Sequence, residues 1–256
     1  MSNLKEKLKN GGIVLGTWSS IPSASLVNVL SLSGIDFIII DTEHGPVSIE
    51  KAEDLVRAAQ ASNVPALIRV QKNDPSLILR ALDIGSDGVH IPHVGTPKDA
   101  LDVVQACKYY PLGMRGLSPF TRAGDYGLGA KDHTQRCNDY TLIAVHIEGK
   151  EGLKNLPEIV KIKGVDVVFI GPYDLSQSLG KPGQIKDPNV LQSIRESVAI
   201  IRKQNLVCGS FAQDFEMLEI LIDYGVQYIS YSVDSAMIVK TYKDLSTKFQ
   251  MIKKMY

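Results

Sequence analysis

Lysine and arginine total 28 across 256 residues, aspartate and glutamate also total 28, and no long run carries one sign; the electrostatic footprint of a nucleic-acid or anionic-membrane binder is therefore missing. The opening MSNLKEKLKNGG lacks a continuous apolar segment and the longest apolar stretches are strand-length, so neither a secretory leader nor a membrane span is expected. What remains is a cytoplasmic protein acting on small molecules, with a core hiding roughly three quarters of the extended chain's surface.

Eight short runs rich in Val and Ile recur between amphipathic segments. They are IVLGTWS (13–19), IDFIII (35–40), PALIRV (65–70), DGVHIP (87–92), TLIAVHI (141–147), VDVVFI (165–170), NLVCGSF (205–211) and QYISYSV (227–233). Apolar runs of this length read as strands of a parallel sheet covered by helices. Helix starts are signalled by Asp74-Pro75, Thr96-Pro97 and Asp187-Pro188, and helix stops by Gly34, Gly85 and Gly225. Within 48–62, Ala52, Leu55, Val56 and Ala59 follow the three-and-four spacing of a helix lying on a sheet. A Gly-rich stretch of roughly thirty residues, beginning at Tyr109, lacks periodicity and is expected to be functional or mobile. The last segment, 236–255, is an amphipathic helix with a lysine-rich face, read as a covering helix.

Eight strands in this length match a (β/α)8 TIM barrel, and no linker divides 1–256, so one domain is expected. A doubly wound open sheet would gather its ligand groups at one switch point. Here polar residues end nearly every strand: Trp18, Asp41 to His44, Arg69, His90 and His93, Glu148, Asp174 and Asp234. Only a closed barrel brings all of these to one mouth. Cys107, Cys137 and Cys208 show neither paired nor zinc-ligand spacing and are expected to be reduced thiols.

Glu148 and Asp174 follow two consecutive strands. Neighbouring strands lie ~4.8 Å apart, so the two carboxylates can share a hard cation such as Mg or Mn, or else be solvated loop acids. Arg69 brings a planar fork suited to a carboxylate or an oxyanion, its bland alternative being an ion pair with a nearby acid. Gly171, Pro172 and Tyr173 form a tight turn whose backbone N–H groups suit an anionic ligand end. His44 is the candidate for proton transfer, with Asp83 as an orienting carboxylate from another subunit, and Asp41 and Glu43 as groups that fix His44 or bridge to a neighbour.

These residues resemble the HpcH/HpaI family of metal-dependent, class II pyruvate aldolases. The resemblance spans nearly the whole chain: GTW at 16–18, D-x-EH at 41–44, LIRV-x-x-NDP at 67–75, LD-x-G at 82–85, RG at 115–116, IE at 147–148, NLP at 155–157, FIGP-x-DLS at 169–176 and VD at 233–234. It implies a carbon-carbon lyase that cleaves a 4-hydroxy-2-oxo acid, such as a 2-dehydro-3-deoxy sugar acid, to pyruvate and an aldehyde through an enolate. Glu148 and Asp174 become ligands of Mg, Mn or Co, Arg69 the enolate's partner, and His44 with Asp83 the proton-transfer pair. Trp18 and Phe211 line the pocket, Phe211 near the position that governs aldehyde choice. A homohexamer, built as a trimer of dimers with the last helix exchanged between barrels, is also implied.

The chain departs from the pattern at His146, where Gln is usual, and at Tyr173, where a small residue is usual; both positions are expected to face the oxo acid. Thr42 replaces a frequent Gly, and His90 and His93 stand where apolar residues are common, as core, supporting or ligand histidines. Arg115 and Arg122 are candidates for binding an aldehyde tail, or loop ion pairs. Two other readings stay open. One is an oxaloacetate-type decarboxylase or carbon-carbon-forming synthase with the same metal-enolate site; the other is a non-catalytic oxo-acid-binding protein.

Overall fold

The computed structural model describes residues 4–129 and 131–256; residues 1–3 and 130 of the expected domain lie outside the described residues. All eight expected runs are strands: β1 (Val14–Ser19), β2 (Phe37–Asp41), β3 (Ala66–Arg69), β4 (Gly88–Ile91), β5 (Leu142–Ile147), β6 (Val167–Ile170), β7 (Val207–Ala212) and β8 (Tyr228–Val233). They pair in parallel in chain order, and β8 returns to β1 to close the barrel. The helices are α1 (Leu4–Lys9), α2 (Ala24–Ser31), α3 (Ile49–Gln60), α4 (Pro75–Asp83), α5 (Pro97–Cys107), α6 (His133–Tyr140), α7 (Lys150–Ile159), α8 (Pro172–Ser178), α9 (Pro188–Lys203), α10 (Phe215–Tyr224) and α11 (Asp234–Lys253). No helix of the described residues is long and apolar enough to cross a membrane.

The strands read as unbroken apolar runs because both of their faces are buried. Ile38 and Ile40 pack outward with the helices, while Phe37 and Ile39 join Val14, Leu67, Leu142, Val167 and Tyr228 inside the barrel. Gly16 makes room there: a Cβ at Gly16 would lie 2.3 Å from the Phe37 ring, which stacks on Tyr228 at 4.1 Å. The capping signals act as expected, with Asp74 and Asp187 accepting backbone N–H groups and Thr96 forming a reciprocal box with Asp99. Ala52, Leu55, Val56 and Ala59 form the fully buried stripe of α3.

Two expectations are corrected. The last helix does not cover its own barrel: beyond Asp234 no residue of α11 is buried, and Met237, Tyr242, Leu245 and Phe249 are exposed. The outer wall over β8 and β1 is correspondingly bare, with outward-facing Leu15, Val29 of α2 and Leu32 at the end of α2 open to solvent. The long stretch after α5 contains a short 3-10 segment at Arg122–Gly127 and then α6, and it packs at the end of the barrel opposite the mouth. There Arg115 bonds Asp83 at 2.7 Å, and Arg122 bonds the carbonyls closing α4 and the Gln60 side chain. Both arginines are thus tied to the wrong end of their own barrel to meet a ligand at its mouth.

Asp234 is a structural clamp. Its carboxylate, 1 % exposed, accepts from the Ser19 and Ser20 hydroxyls and from the backbone N–H groups of Ser20, Ile21 and Ser235. Asp234→Ala takes this acceptor from the buried Ser19 hydroxyl and from the half-buried N–H groups of Ser20, Ile21 and Ser235, and urea unfolding is expected to show a loss of about 3 kcal/mol.

Candidate active site

The C-terminal strand ends enclose a cavity of about 290 Å³ lined by Trp18, Asp41, His44, Arg69, His146, Glu148, Phe169, Gly171, Pro172, Tyr173, Asp174, Phe211 and Val233. Of the expected site residues, Asp83 and Glu43 are not in this lining. Asp83 closes α4 at the far end of the barrel, paired with Arg115, so it does not reach the mouth of its own chain. Glu43 stands behind Arg69.

The register of the sheet explains the acids of the second strand end. Asp41 on β2 is the direct neighbour of Arg69 on β3, and the guanidinium grips it with two bonds, Nε to Oδ1 at 2.9 Å and Nη2 to Oδ2 at 2.5 Å. Glu43 approaches Nη1 at 3.3 Å, and the Trp18 ring lies under the guanidinium, 4.3 Å away. Burial alone would raise the Asp41 carboxyl, but the bonds and charge of Arg69 together with the backbone N–H groups of His44 and Glu43 outweigh it and hold the carboxyl below its usual value. Asp41 and Glu43 therefore orient Arg69 rather than the His44 ring. The part of Asp41 in placing His44 is through the backbone, accepting the N–H groups of Glu43 and His44. The His44 imidazole is exposed at the rim and takes no side-chain hydrogen bond among the described residues.

Glu148 is 7 % exposed. Its Oε1 accepts from His146 Nδ1 at 3.0 Å and its Oε2 from the His93 backbone N–H at 3.0 Å. Burial again pushes upward, but the hydrogen bond from His146 and the His93 contacts win, and the carboxyl is held at about 2. It is therefore a carboxylate at any ordinary pH. His93 adopts a left-handed backbone, φ 56, and so sets its ring between Glu148 (3.2 Å) and Glu43 (3.4 Å).

Asp174 sits half-buried in the first turn of α8 and has no hydrogen-bond or ion-pair partner among the described residues. Glu148 and Asp174 also line a second cavity of about 480 Å³ on their other side, with His93, Glu151 and Gln177. Two anionic oxygen donors between two cavities fit a hard divalent cation that keeps several waters. The described residues contain no cluster of three or more side chains able to hold a metal, so protein groups alone would leave most positions open.

Gly171 is needed for closeness, not for an unusual backbone angle. A Cβ there would lie 2.8 Å from Cγ of Glu148. Gly171→Ala is expected to displace that carboxylate, lowering Mn affinity about tenfold, by analogy with the loss of a group that orients a ligand; titration followed by electron paramagnetic resonance checks this. Tyr173 turns to the rim, its hydroxyl donating to Gln213 at 2.9 Å and its ring tilted against Phe211. Trp18 is pinned by a bond from Nε1 to the Ser230 hydroxyl at 2.8 Å.

Sequence reasoning missed the order of the buried histidines. His90 Nδ1 lies 2.8 Å from His146 Nε2, and His90 Nε2 lies 2.8 Å from the Tyr228 hydroxyl. The available signal was period two: these side chains sit at inward positions of their strands.

A family described as HpcH/HpaI aldolase/citrate lyase matches residues 15–241. The chain is 35 % identical to a hydroxypyruvate/pyruvate aldolase of Sagittula stellata over 93 % of each chain. It is 30 % identical to a 4-hydroxy-2-oxo-heptane-1,7-dioate aldolase of Escherichia coli, over 97 % of this chain and 95 % of the other. Among solved structures it is similar to the citrate synthase SbnG, with a TM-score of 0.87, 30 % identity and 98 % of each chain covered.

Proposed function

The chain belongs to the HpcH/HpaI aldolase/citrate lyase family, and from that premise we propose that it is a divalent-metal-dependent aldolase, reversibly cleaving a 4-hydroxy-2-oxo acid to pyruvate and an aldehyde. As a carbon-carbon lyase it has aldolases for relatives. The observation that carries the reading is the rigid Arg69 fork in one cavity with two carboxylates, Glu148 and Asp174.

The cation, Mg, Mn or Co, would be held by Glu148 and Asp174 and would supply Lewis-acid polarisation of the 2-oxo group. Arg69 donates to the enolate oxygen, whose charge grows only as the bond between C3 and C4 breaks; a donor already fixed by Asp41 needs no reorganisation at that moment. His44, at the rim, takes the proton of the C4 hydroxyl, and Asp83 of a second subunit is its proposed partner. Gly171 opens α8 without a side-chain cap, which leaves backbone N–H groups of the first turn for the pyruvate carboxylate. Trp18, Phe211 and Tyr173 bound the space for the aldehyde, and His146 supports Glu148.

One domain over 1–256 in a cytoplasmic homohexamer completes the proposal. Its support is the bare wall over β8 and β1 together with the apolar side chains of α11 that stand exposed among the described residues, and three free thiols suit a reducing compartment. The test is exchange of pyruvate methyl protons in deuterium oxide, with Mg, Mn or Co, followed by a screen of aldehydes with products identified by mass. Absence of both exchange and carbon-carbon bond formation with every metal sinks the reading. Similarity to a citrate synthase favours a second reading, in which the same enolate site serves an oxaloacetate-type decarboxylase or a carbon-carbon-forming synthase. Pyruvate release from oxaloacetate outrunning aldol cleavage under matched conditions would select it.

A further inference from the structure

Four proton-bearing or proton-accepting groups run in single file up the barrel interior toward the mouth: Tyr228, at the start of β8, His90, His146 and Glu148, with spacings of 2.8, 2.8 and 3.0 Å. Tyr228 and His90 are fully buried and His146 is 1 % exposed. Both ends of the file dictate its direction. A carboxylate only accepts, so the proton between His146 and Glu148 belongs to His146 Nδ1. At the other end, His90 is the sole hydrogen-bond partner of the Tyr228 hydroxyl among the described residues, and a buried hydroxyl proton without an acceptor is costly. Tyr228 therefore donates to His90 Nε2, His90 donates through Nδ1 to His146 Nε2, and every bond points toward Glu148.

Building on the metal reading of Glu148, we propose that Tyr228 and His90 are positioning residues: they lock the tautomer and tilt of His146 so that its Nδ1–H fixes the orientation of the Glu148 carboxylate that would hold the cation. A proton relay is a poorer account. Tyr228 ends blind against Phe37, stacked at 4.1 Å with 19° between the rings, and has no route to water. Burial agrees with a file of neutral donors, holding Tyr228 protonated and His90 uncharged. The packing restrains rotation as well: the His146 ring is stacked on Phe169 at 4.7 Å and met edge-on by His90 and Trp18. Both ring nitrogens of His146 are thereby engaged, Nδ1 by Glu148 and Nε2 by His90.

The test has two arms on the full-length chain. Imidazole 15N spectra, assigned with His90→Gln and His146→Gln, are expected to place the proton of His146 on Nδ1; a proton on Nε2 overturns the proposal without reference to any metal. In the second arm, Mn affinity is read by electron paramagnetic resonance in a double-mutant cycle. Tyr228→Phe, which removes one oxygen, is expected to weaken Mn binding about tenfold, the lower end for a group that orients a ligand. In a His146→Leu background the same change is expected to have no effect, because the file is already cut. An equal effect in both backgrounds, or none in either, overturns the proposal. A wild-type chain that binds no Mn overturns the metal reading, while the 15N arm still decides the direction of the file.

Discussion

Arg69→Lys is expected to lower both pyruvate proton exchange and aldol cleavage by about 10²-fold or more, the scale for loss of a fixed donor to a developing oxyanion, and to leave the fold intact. Lysine keeps a positive charge beside Asp41 but not the planar fork that bonds both its oxygens while presenting further N–H groups. Arg69→Met adds a second effect. The side chains of the pair are only 11 % and 8 % exposed, so removing one partner strands a buried carboxylate, at a cost of about 3–5 kcal/mol. Asp41→Asn added to Arg69→Met should recover much of that stability and none of the activity. Exchange kinetics by NMR and urea unfolding on the same samples check both halves. Near-normal exchange in Arg69→Lys would remove this arginine from the mechanism.

The second large effect is selective. His44→Gln is expected to slow aldol cleavage by about 10²–10⁴-fold, the contribution of a positioned general base, while pyruvate proton exchange and oxaloacetate decarboxylation change by less than about tenfold. The C4 hydroxyl exists only in the aldol substrate, so only that reaction needs a base there. No stability cost is expected, because the ring is exposed and makes no hydrogen bond among the described residues. Parallel loss of all three reactions, measured in one assay series, would assign His44 to the enolate step instead.

The barrel was legible because burial of a strand on both faces writes itself as a continuous apolar run, as in FIIID of β2. Glu148, Asp174 and Arg69 were legible because each follows such a run. Pairings across strands were not. Asp41 was assigned to His44, three residues away in sequence, whereas the register sets it beside Arg69, 28 residues away. His90 and His146 were read separately for the same reason: hydrogen bonds between strands depend on register, which no local pattern states. The direction of α11 was not legible in its own residues, since an apolar stripe shows that a surface will be covered and not by which body; only the family resemblance implied an exchange between barrels.

The bare wall over β8 and β1 also bears on what counts as the folding unit. If a second chain supplies the missing cover, folding and assembly are one equilibrium, and the midpoint of thermal unfolding climbs with protein concentration by mass action. Dilution then acts as a denaturant. It would be felt first where α11 begins, at the Asp234 clamp on Ser19, Ser20 and Ile21, one residue along the chain from the tryptophan under Arg69.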